Sequence, residues 1–180
     1  MQTPSVYPKS SGTRQLVISV IGGSEPALED LVLAESVGQE LAKRGVVVVT
    51  GGLGGVMEAA CRGAKSHGGV TIGILPGDDP SEANAYVDYA VCTGMGYARN
   101  VIVAKSGQAI IAVDGSYGTL SEIAHALGDG IPVFGLNTWE LSVHGKLNRA
   151  IVATVDAYDA VEKAVQAARL RSEKTSEKMW

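Results

Sequence analysis

Residues 113–122 have the sequence Val113-Asp114-Gly115-Ser116-Tyr117-Gly118-Thr119-Leu120-Ser121-Glu122 and join an apolar segment to an amphipathic one. Residues 108–113 are apolar and rich in β-branched side chains, which predicts a buried strand. After the turn, Leu120, Ile123 and Leu127 recur at helical spacing. A glycine-containing turn between a strand and a helix directs backbone N–H groups and the positive end of the helix dipole at one point. This stretch therefore predicts a phosphate or oxyanion site.

The same strand, glycine turn and helix occur twice more, earlier in the chain. A strand at 16–21 is followed by a turn and a helix that ends near residue 43, and a strand at 46–50 is followed by a turn and a helix at 56–67. These glycines could serve only as tight turns, but four glycines in the five positions 51–55 exceed what a turn requires. The predicted binding residues of the three turns are Gly22, Gly23, Ser24, Gly51, Gly52, Gly54, Gly55, Gly115, Ser116, Tyr117, Gly118 and Thr119.

Strands and helices continue to alternate along the chain. Further strands are predicted at 70–75, 86–92, 131–136 and 150–155, and helices at 97–106 and 156–171, whereas 137–149 carries little pattern. The prediction is a single-domain α/β fold, a Rossmann-like doubly wound parallel sheet with helices on both faces. The three glycine turns should share the rim at the carboxyl ends of the strands. We expect the domain to span 15–171, between a disordered leader at 1–14 and a flexible tail at 172–180.

Composition excludes several classes of function. The 180 residues carry a formal charge of −4, so the basic surface that binds nucleic acid is not expected. No apolar run is long enough to span a membrane, and no secretion signal is visible, so we expect a cytoplasmic protein. Cys61 and Cys92 have no CxxC spacing and are interpreted as buried, reduced thiols. The three histidines have no spacing that suggests a metal site.

Two common nucleotide-binding motifs are absent. None of the turns has the G-x-G-x-x-G spacing of dinucleotide-binding proteins or the G-x-x-x-x-G-K-[ST] sequence of a P-loop. The dehydrogenase and ATPase interpretations therefore lose their main support.

Three charged side chains have competing interpretations. Glu122 closes the sequence Thr119-Leu120-Ser121-Glu122, which fits a capping box, and a carboxylate at a helix start could equally be held at the rim for function. Arg99 would ordinarily be a solvated side chain, but it follows a predicted turn at a strand end. Asp114 is more often a turn residue than an acid.

The sequence over about residues 16–165 resembles the LOG (LONELY GUY) phosphoribohydrolase family and its branch containing molybdenum cofactor carrier proteins. The motifs are Gly22-Gly23-Ser24, the stretch from Thr50 to Met57, Gly68-Gly69 with residues 73–76, residues 95–100, and residues 115–122. In LOG enzymes the last motif reads P-G-G-x-G-T-x-x-E. The resemblance implies that Gly115, Gly118 and Thr119 hold a phosphate, and that Arg99 and Glu122 are the catalytic residues for hydrolysis of the base–ribose bond.

The chain departs from the enzymes' motif at three positions. Asp114 replaces the proline, Ser116 replaces the second glycine, and Asn100 follows Arg99 where the enzymes have lysine. The interval from Met95 to Arg99 is also one residue longer than the M-H-x-R interval of the enzymes. These features are more similar to the carrier-protein branch. A lysine decarboxylase activity is not supported, because no lysine lies in a recognisable PLP-binding context.

Three functional hypotheses follow. The first is a carrier or binding protein for a phosphorylated nucleotide-like or pterin ligand, with no required cofactor and with the molybdenum cofactor or molybdate as a possible bound ligand. The second is a LOG-type nucleoside 5′-monophosphate phosphoribohydrolase, and the third is a scaffold with vestigial loops. The resemblance also implies a homodimer or homotetramer.

Overall fold

The fold is built around a sheet of seven parallel strands. In the computed structural model, which describes residues 15–177 and their side chains as far as residue 173, these strands lie in the order β4-β3-β2-β1-β5-β6-β9. The nine strands of the described region are β1 (Val17–Gly22), β2 (Val47–Thr50), β3 (Thr71–Leu75), β4 (Tyr89–Cys92), β5 (Ala109–Val113), β6 (Val133–Leu136), β7 (Leu141–Val143), β8 (Lys146–Asn148) and β9 (Ile151–Ala153). β7 and β8 form a separate antiparallel hairpin. The predicted leader at 1–14 lies outside the described residues.

Helices cover both faces of the sheet. The helices are α1 (Leu28–Lys43), α2 (Val56–Ser66), α3 (Asn100–Ser106), α4 (Tyr117–Gly128) and α5 (Ala157–Glu177). One core joins side chains such as Val20 and Ile111 to α1, α2 and α5. The other joins Ile21 and Ile110 to α3 and α4. Because neighbouring strand residues point to opposite faces, strands buried on both sides must be apolar throughout, as β5 is. The predicted doubly wound α/β fold is confirmed.

The strand order places a topological switch at β1. The chain moves from β1 through β2 and β3 to the edge strand β4, and then crosses to β5 on the opposite side of β1. The loops that follow β1 and β5 therefore diverge to different faces of the sheet. In open α/β sheets, the crevice at this point is where ligands bind.

The helices α1 and α2 cross in direct backbone contact. A Cβ atom added at Gly38 would collide with the carbonyl oxygen of Ala60, and one added at Gly63 would collide with the carbonyl oxygen of Glu35. The two glycines therefore let the helix backbones approach more closely than any other residue would allow.

The structure adds two local features and corrects one prediction. The segment 137–149, which carried little pattern, contains the β7–β8 hairpin. The last helix continues to Glu177, so six residues of the predicted tail are helical. Cys92 is exposed, not buried, because β4 is an edge strand with little cover, whereas Cys61 is buried in α2. Between residues 15 and 177 no helix is both long and apolar enough to span a membrane.

Candidate functional site

The three glycine loops meet at the switch point, as predicted. The amide of Val56 donates a hydrogen bond to the carbonyl oxygen of Gly23 at 3.0 Å, which joins the loop after β2 to the loop after β1. The carboxylate of Asp114, at the end of β5, lies directly against Gly23, where a Cβ atom would collide with it. We call this region, comprising residues 22–24, 51–55 and 114–119, the rim.

Most rim glycines have a packing reason to be glycine. A Cβ atom on Gly51 would lie 2.6 Å from Nη2 of Arg99, and one on Gly52 would lie 2.6 Å from a Leu75 methyl group. Gly55 has a φ of 68° and would collide with the carbonyl oxygens of the first loop. Gly54 and Gly118 differ, because a Cβ atom there would meet no atom closer than 3.9 and 3.7 Å, respectively. Direct ligand binding by these glycines stays a prediction.

Helix α4 begins earlier than the capping-box interpretation requires. Its first residue is Tyr117, and Ser116 occupies the N-cap position without a side-chain capping bond. Thr119 is therefore inside the helix, and Glu122 lies in its second turn instead of reaching back to cap it. The capping-box interpretation of Glu122 is wrong. Its carboxyl group faces another element, the helical turn that carries Arg99.

Arg99 and Glu122 form a buried pair beneath the rim. Nη1 of Arg99 lies 3.5 Å from Oε1 of Glu122, and the two side chains are only 9% and 8% exposed. Nη2 of Arg99 donates to the carbonyl oxygen of Gly51 at 3.3 Å. Nη1 also donates to Oδ1 of Asn100. Arg99 thus connects the loop after β2 to α4, and the interpretation of Arg99 as a solvated side chain is wrong.

Burial dominates the electrostatics of this pair. Loss of hydration raises the pKa of Glu122 to about 8, and the nearby Arg99 charge offsets only part of that rise. Burial also lowers the pKa of Arg99, but a guanidinium group keeps its proton at any physiological pH. Near neutral pH, the pair is therefore a charged Arg99 beside a mostly protonated Glu122 carboxyl group.

Two buried polar atoms in this region have no hydrogen-bond partner within the described residues. They are Nε of Arg99 and Oγ1 of Thr119, and Thr119 is only 1% exposed. An unpaired buried hydroxyl or guanidinium N–H costs about 1–3 kcal/mol, and such groups are rare in folded proteins. Both atoms belong to residues that the sequence predicts to be functional.

The rim is supported by residues that the sequence analysis did not identify. Nδ2 of Asn84 donates to the carbonyl oxygens of Gly52 and Leu53 at 3.1 and 2.9 Å, which fixes the loop after β2. Nε1 of Trp139 donates to the carbonyl oxygen of Ser116 at 3.3 Å. Asn84 had no distinguishing signal, whereas Trp139 is one of only two tryptophans in the chain.

Ser24 and Tyr117 are exposed at the mouth of the rim. Tyr117 is 83% exposed, and its ring centroid lies 5.9 Å from that of Trp139. Asp114 adopts a φ of 54°, a conformation that few non-glycine residues tolerate. In the described part of the chain, no group of three or more His, Cys, Asp or Glu side chains is arranged to hold a metal ion.

The strand order, the two helical layers and the switch-point rim define a Rossmann-like α/β domain. The chain belongs to the SLOG cluster4 family, whose sequence profile matches residues 15–169.

Two solved structures and one enzyme sequence are also similar to this chain. The molybdenum cofactor binding protein of Rippkaea orientalis is 35% identical, with a TM-score of 0.79 over 86% of this chain and 98% of that protein. The molybdenum cofactor carrier protein of Chlamydomonas reinhardtii is 32% identical, with a TM-score of 0.75 over 87% of this chain and 99% of that protein. The chain is also 29% identical to the cytokinin riboside 5′-monophosphate phosphoribohydrolase of Mycobacterium marinum, over 88% of this chain and 96% of that protein.

Proposed function

We propose that this protein is a carrier that binds a phosphorylated small molecule, a pterin such as the molybdenum cofactor or a nucleotide-like compound, at the rim. The observation that carries the proposal is the buried Thr119 hydroxyl, which has no hydrogen-bond partner between residues 15 and 177 and lies in the first turn of α4 at the β1–β5 switch point. A phosphate seated on this turn would accept hydrogen bonds from the hydroxyl and the backbone N–H groups, and it would be favoured by the helix dipole.

The likeness to two molybdenum cofactor proteins over nearly their whole length supports this ligand class. The charge state of the buried pair supports it as well. With Glu122 mostly protonated below pH 8, Arg99 carries an uncompensated positive charge close to the rim. That charge would attract a phosphate or molybdate oxyanion and strengthen its binding at the rim.

Phosphoribohydrolase activity is the second candidate, because the motif resemblance matches Arg99 and Glu122 to the enzymes' catalytic pair and Nη1 of Arg99 lies 3.5 Å from Oε1 of Glu122. In that reaction, water forms a bond to C1′ of the ribose while the C1′–N bond breaks, and the base leaves with a proton. Glu122 would have to be ionised to stabilise the developing positive charge. Its raised pKa opposes that role, and Asn100 competes with Glu122 for Nη1 of Arg99.

Calorimetric titration tests the carrier proposal. The probes are ribose 5-phosphate, GMP, AMP, hydroxymethylpterin monophosphate and molybdate. We expect a phosphate-bearing probe to bind, and Thr119→Val to weaken that binding at least tenfold without loss of stability. Thr71→Val is the matched control, because the Thr71 hydroxyl is buried but donates to the carbonyl oxygen of Tyr86 at 2.6 Å, far from the rim. This control should lose stability and keep its affinity.

Turnover is measured in the same samples. Binding without release of free base from AMP or a cytokinin riboside 5′-monophosphate supports the carrier. Base release that is abolished in Glu122→Gln establishes the hydrolase instead. If no probe binds to the wild-type protein, the proposal is wrong and the loops are a scaffold.

A further inference from the structure

A cavity lies beside the rim, on the β6 and β9 side of the sheet. It is a partly open cavity with a volume of about 550 Å³, lined by residues of β6, β8 and β9 and by the segment that follows β6. Its lining includes Asn137, Trp139, Leu147, Asn148, Arg149 and Ile151. We call it the hairpin cavity. Its volume is within the range of small-molecule sites, roughly 300–1,000 Å³.

Trp139 is shared by the hairpin cavity and the rim. Its Nε1 donates to the carbonyl oxygen of Ser116, and the same edge of the indole would lie 3.0 Å from a Cβ atom at Gly115. A side chain at position 115 would press against the indole and require it to shift. A molecule with one end at the α4 turn therefore needs to extend past a single side chain to enter the cavity.

The lining is chemically suited to a flat ring with polar edges. Trp139, Leu147, Ile151 and Val152 provide apolar surface, which an inorganic anion would not favour. The guanidinium group of Arg149 has no hydrogen-bond or ion-pair partner among the described side chains, and together with the amide of Asn148 it offers donors at the cavity wall. Aromatic residues are scarce in this chain, with two Trp, six Tyr and one Phe, yet the Tyr117 and Trp139 rings meet at this boundary.

We infer that the hairpin cavity is a second subsite, which holds the planar heterocycle of the ligand against Trp139 while the phosphate lies at the α4 turn. This inference rests on the proposed function, because it assigns the rest of the same ligand. It makes Trp139 and the cavity wall the determinants of which phosphorylated compounds bind tightly.

The experiment uses Trp139 as a reporter. In a Trp180→Phe background, Trp139 is the only tryptophan. Ribose 5-phosphate, GMP, AMP and hydroxymethylpterin monophosphate are titrated by calorimetry and by Trp139 fluorescence. We expect at least one ring-bearing probe to bind at least tenfold more tightly than ribose 5-phosphate and to quench Trp139, whereas ribose 5-phosphate leaves the emission nearly unchanged.

A cavity-filling variant separates the two subsites. Ala153 lines the hairpin cavity on the exposed edge strand β9. Ala153→Leu should therefore weaken the binding of the ring-bearing probe at least tenfold and leave the affinity for ribose 5-phosphate unchanged. Val155→Leu adds bulk nearby, outside the lining, and should change neither affinity.

Each failure has a separate meaning. If ribose 5-phosphate binds but no ring-bearing probe binds more tightly, or Ala153→Leu has no effect on the ring-bearing probe, the second subsite is overturned while the proposed function stands. If Ala153→Leu instead changes only the mass of the protein in solution, the cavity is an interface between copies, which also overturns the inference. If no probe binds, the proposed function fails and the inference fails with it.

Discussion

Gly63 and Gly118 are both helical glycines, one at the α1–α2 interface and one at the rim, and their surroundings differ. A Cβ atom on Gly63 would collide with the backbone of Glu35, whereas one on Gly118 would have its nearest neighbour at 3.7 Å. At the interface, the missing side chain is compensated by tight packing between two helices. At the rim, packing does not explain why the position is glycine.

The same contrast holds for the polar groups of the two regions. At the outer edge of the α1–α2 interface, Arg62 donates two hydrogen bonds to the carboxylate of Glu35 at 3.1 and 2.9 Å. The rim contains the Thr119 hydroxyl, which has no hydrogen-bond partner within the described residues, and Asp114 at positive φ, and the buried carboxyl group of Glu122 lies beneath it. Unfavourable features that persist in a folded protein tend to mark functional sites. Substitutions at the interface should therefore destabilise the fold, whereas substitutions that relieve these unfavourable features, at the rim or at Glu122 beneath it, should stabilise the fold or leave its stability unchanged.

The largest expected effect is at the interface. Gly63→Ala forces the backbones of α1 and α2 apart, and we expect it to lower the free energy of unfolding by about 2–4 kcal/mol. Gly128→Ala is the matched control, because a Cβ atom at that helical glycine would contact nothing within 4 Å. Urea unfolding measures both variants. A Gly63→Ala protein as stable as Gly128→Ala would contradict the interpretation of the interface as backbone contact.

Much of the fold could be predicted because its strands are buried on both faces. The segments around Val48 and Ile110 are continuously apolar, and their alternation with helical segments favours a parallel sheet with helices on both sides. The β7–β8 hairpin could not be predicted, because its strands have three residues each and most of their side chains are exposed. No buried face then gives the sequence a period of two.

The rim could be located from the sequence, but its energetics could not. Glycines after three strands indicated one shared edge, since parallel strands end together. The burial of Arg99 depends on its fit between the carbonyl oxygen of Gly51 and Glu122, two contacts between distant parts of the sequence. Trp139 reaches Ser116 from a segment without recognisable pattern. Such contacts arise from the tertiary fold and have no local signal.

The next effect in size concerns the buried carboxyl group. Because burial raises the pKa of Glu122 to about 8, we expect the folded protein to hold this proton to a higher pH than the unfolded chain, whose glutamate has the ordinary pKa of 4.5. Wild-type stability should therefore decrease as pH rises through this window, by up to about 1.4 kcal/mol per pH unit from this group. In Glu122→Gln, the free energy of unfolding should no longer carry this pH dependence. At neutral pH it should be about 1–3 kcal/mol higher than in the wild-type protein.

Urea unfolding across the same pH window checks this expectation. Glu25→Gln is the control, because Glu25 is an exposed glutamate in the loop after β1. Equal slopes for wild type and Glu122→Gln would show that burial of Glu122 has no energetic cost, and the contrast between rim and interface would then depend on the glycines alone.

Gly118→Ala should produce a smaller gain in stability. Alanine is favoured over glycine within a helix by about 0.5–1 kcal/mol, and the nearest atoms leave room for the methyl group. A ligand seated against the α4 turn would meet that methyl group, so we expect the affinity for ribose 5-phosphate to fall at least tenfold. Gly128→Ala, at the other end of α4, should show a stability gain without the affinity loss. Unchanged binding in Gly118→Ala would remove this glycine from the candidate site.

The smallest effect should come from Asp114. Its substitution should strengthen ligand binding, whereas Gly118→Ala should weaken it. Asp114→Asn keeps the shape of the side chain and tolerates the positive φ, so stability should change by less than about 0.5 kcal/mol. It removes one negative charge beside the α4 turn, and ribose 5-phosphate should bind a few-fold more tightly, with the gain decreasing as salt is added. Asp129→Asn, at the far end of α4, removes the same charge from the protein and is the control. It should increase the affinity for ribose 5-phosphate only slightly. Weaker binding in Asp114→Asn would mean that the carboxylate accepts a hydrogen bond from the ligand, and Asp114 would then be a contact residue instead of an electrostatic cost of the rim.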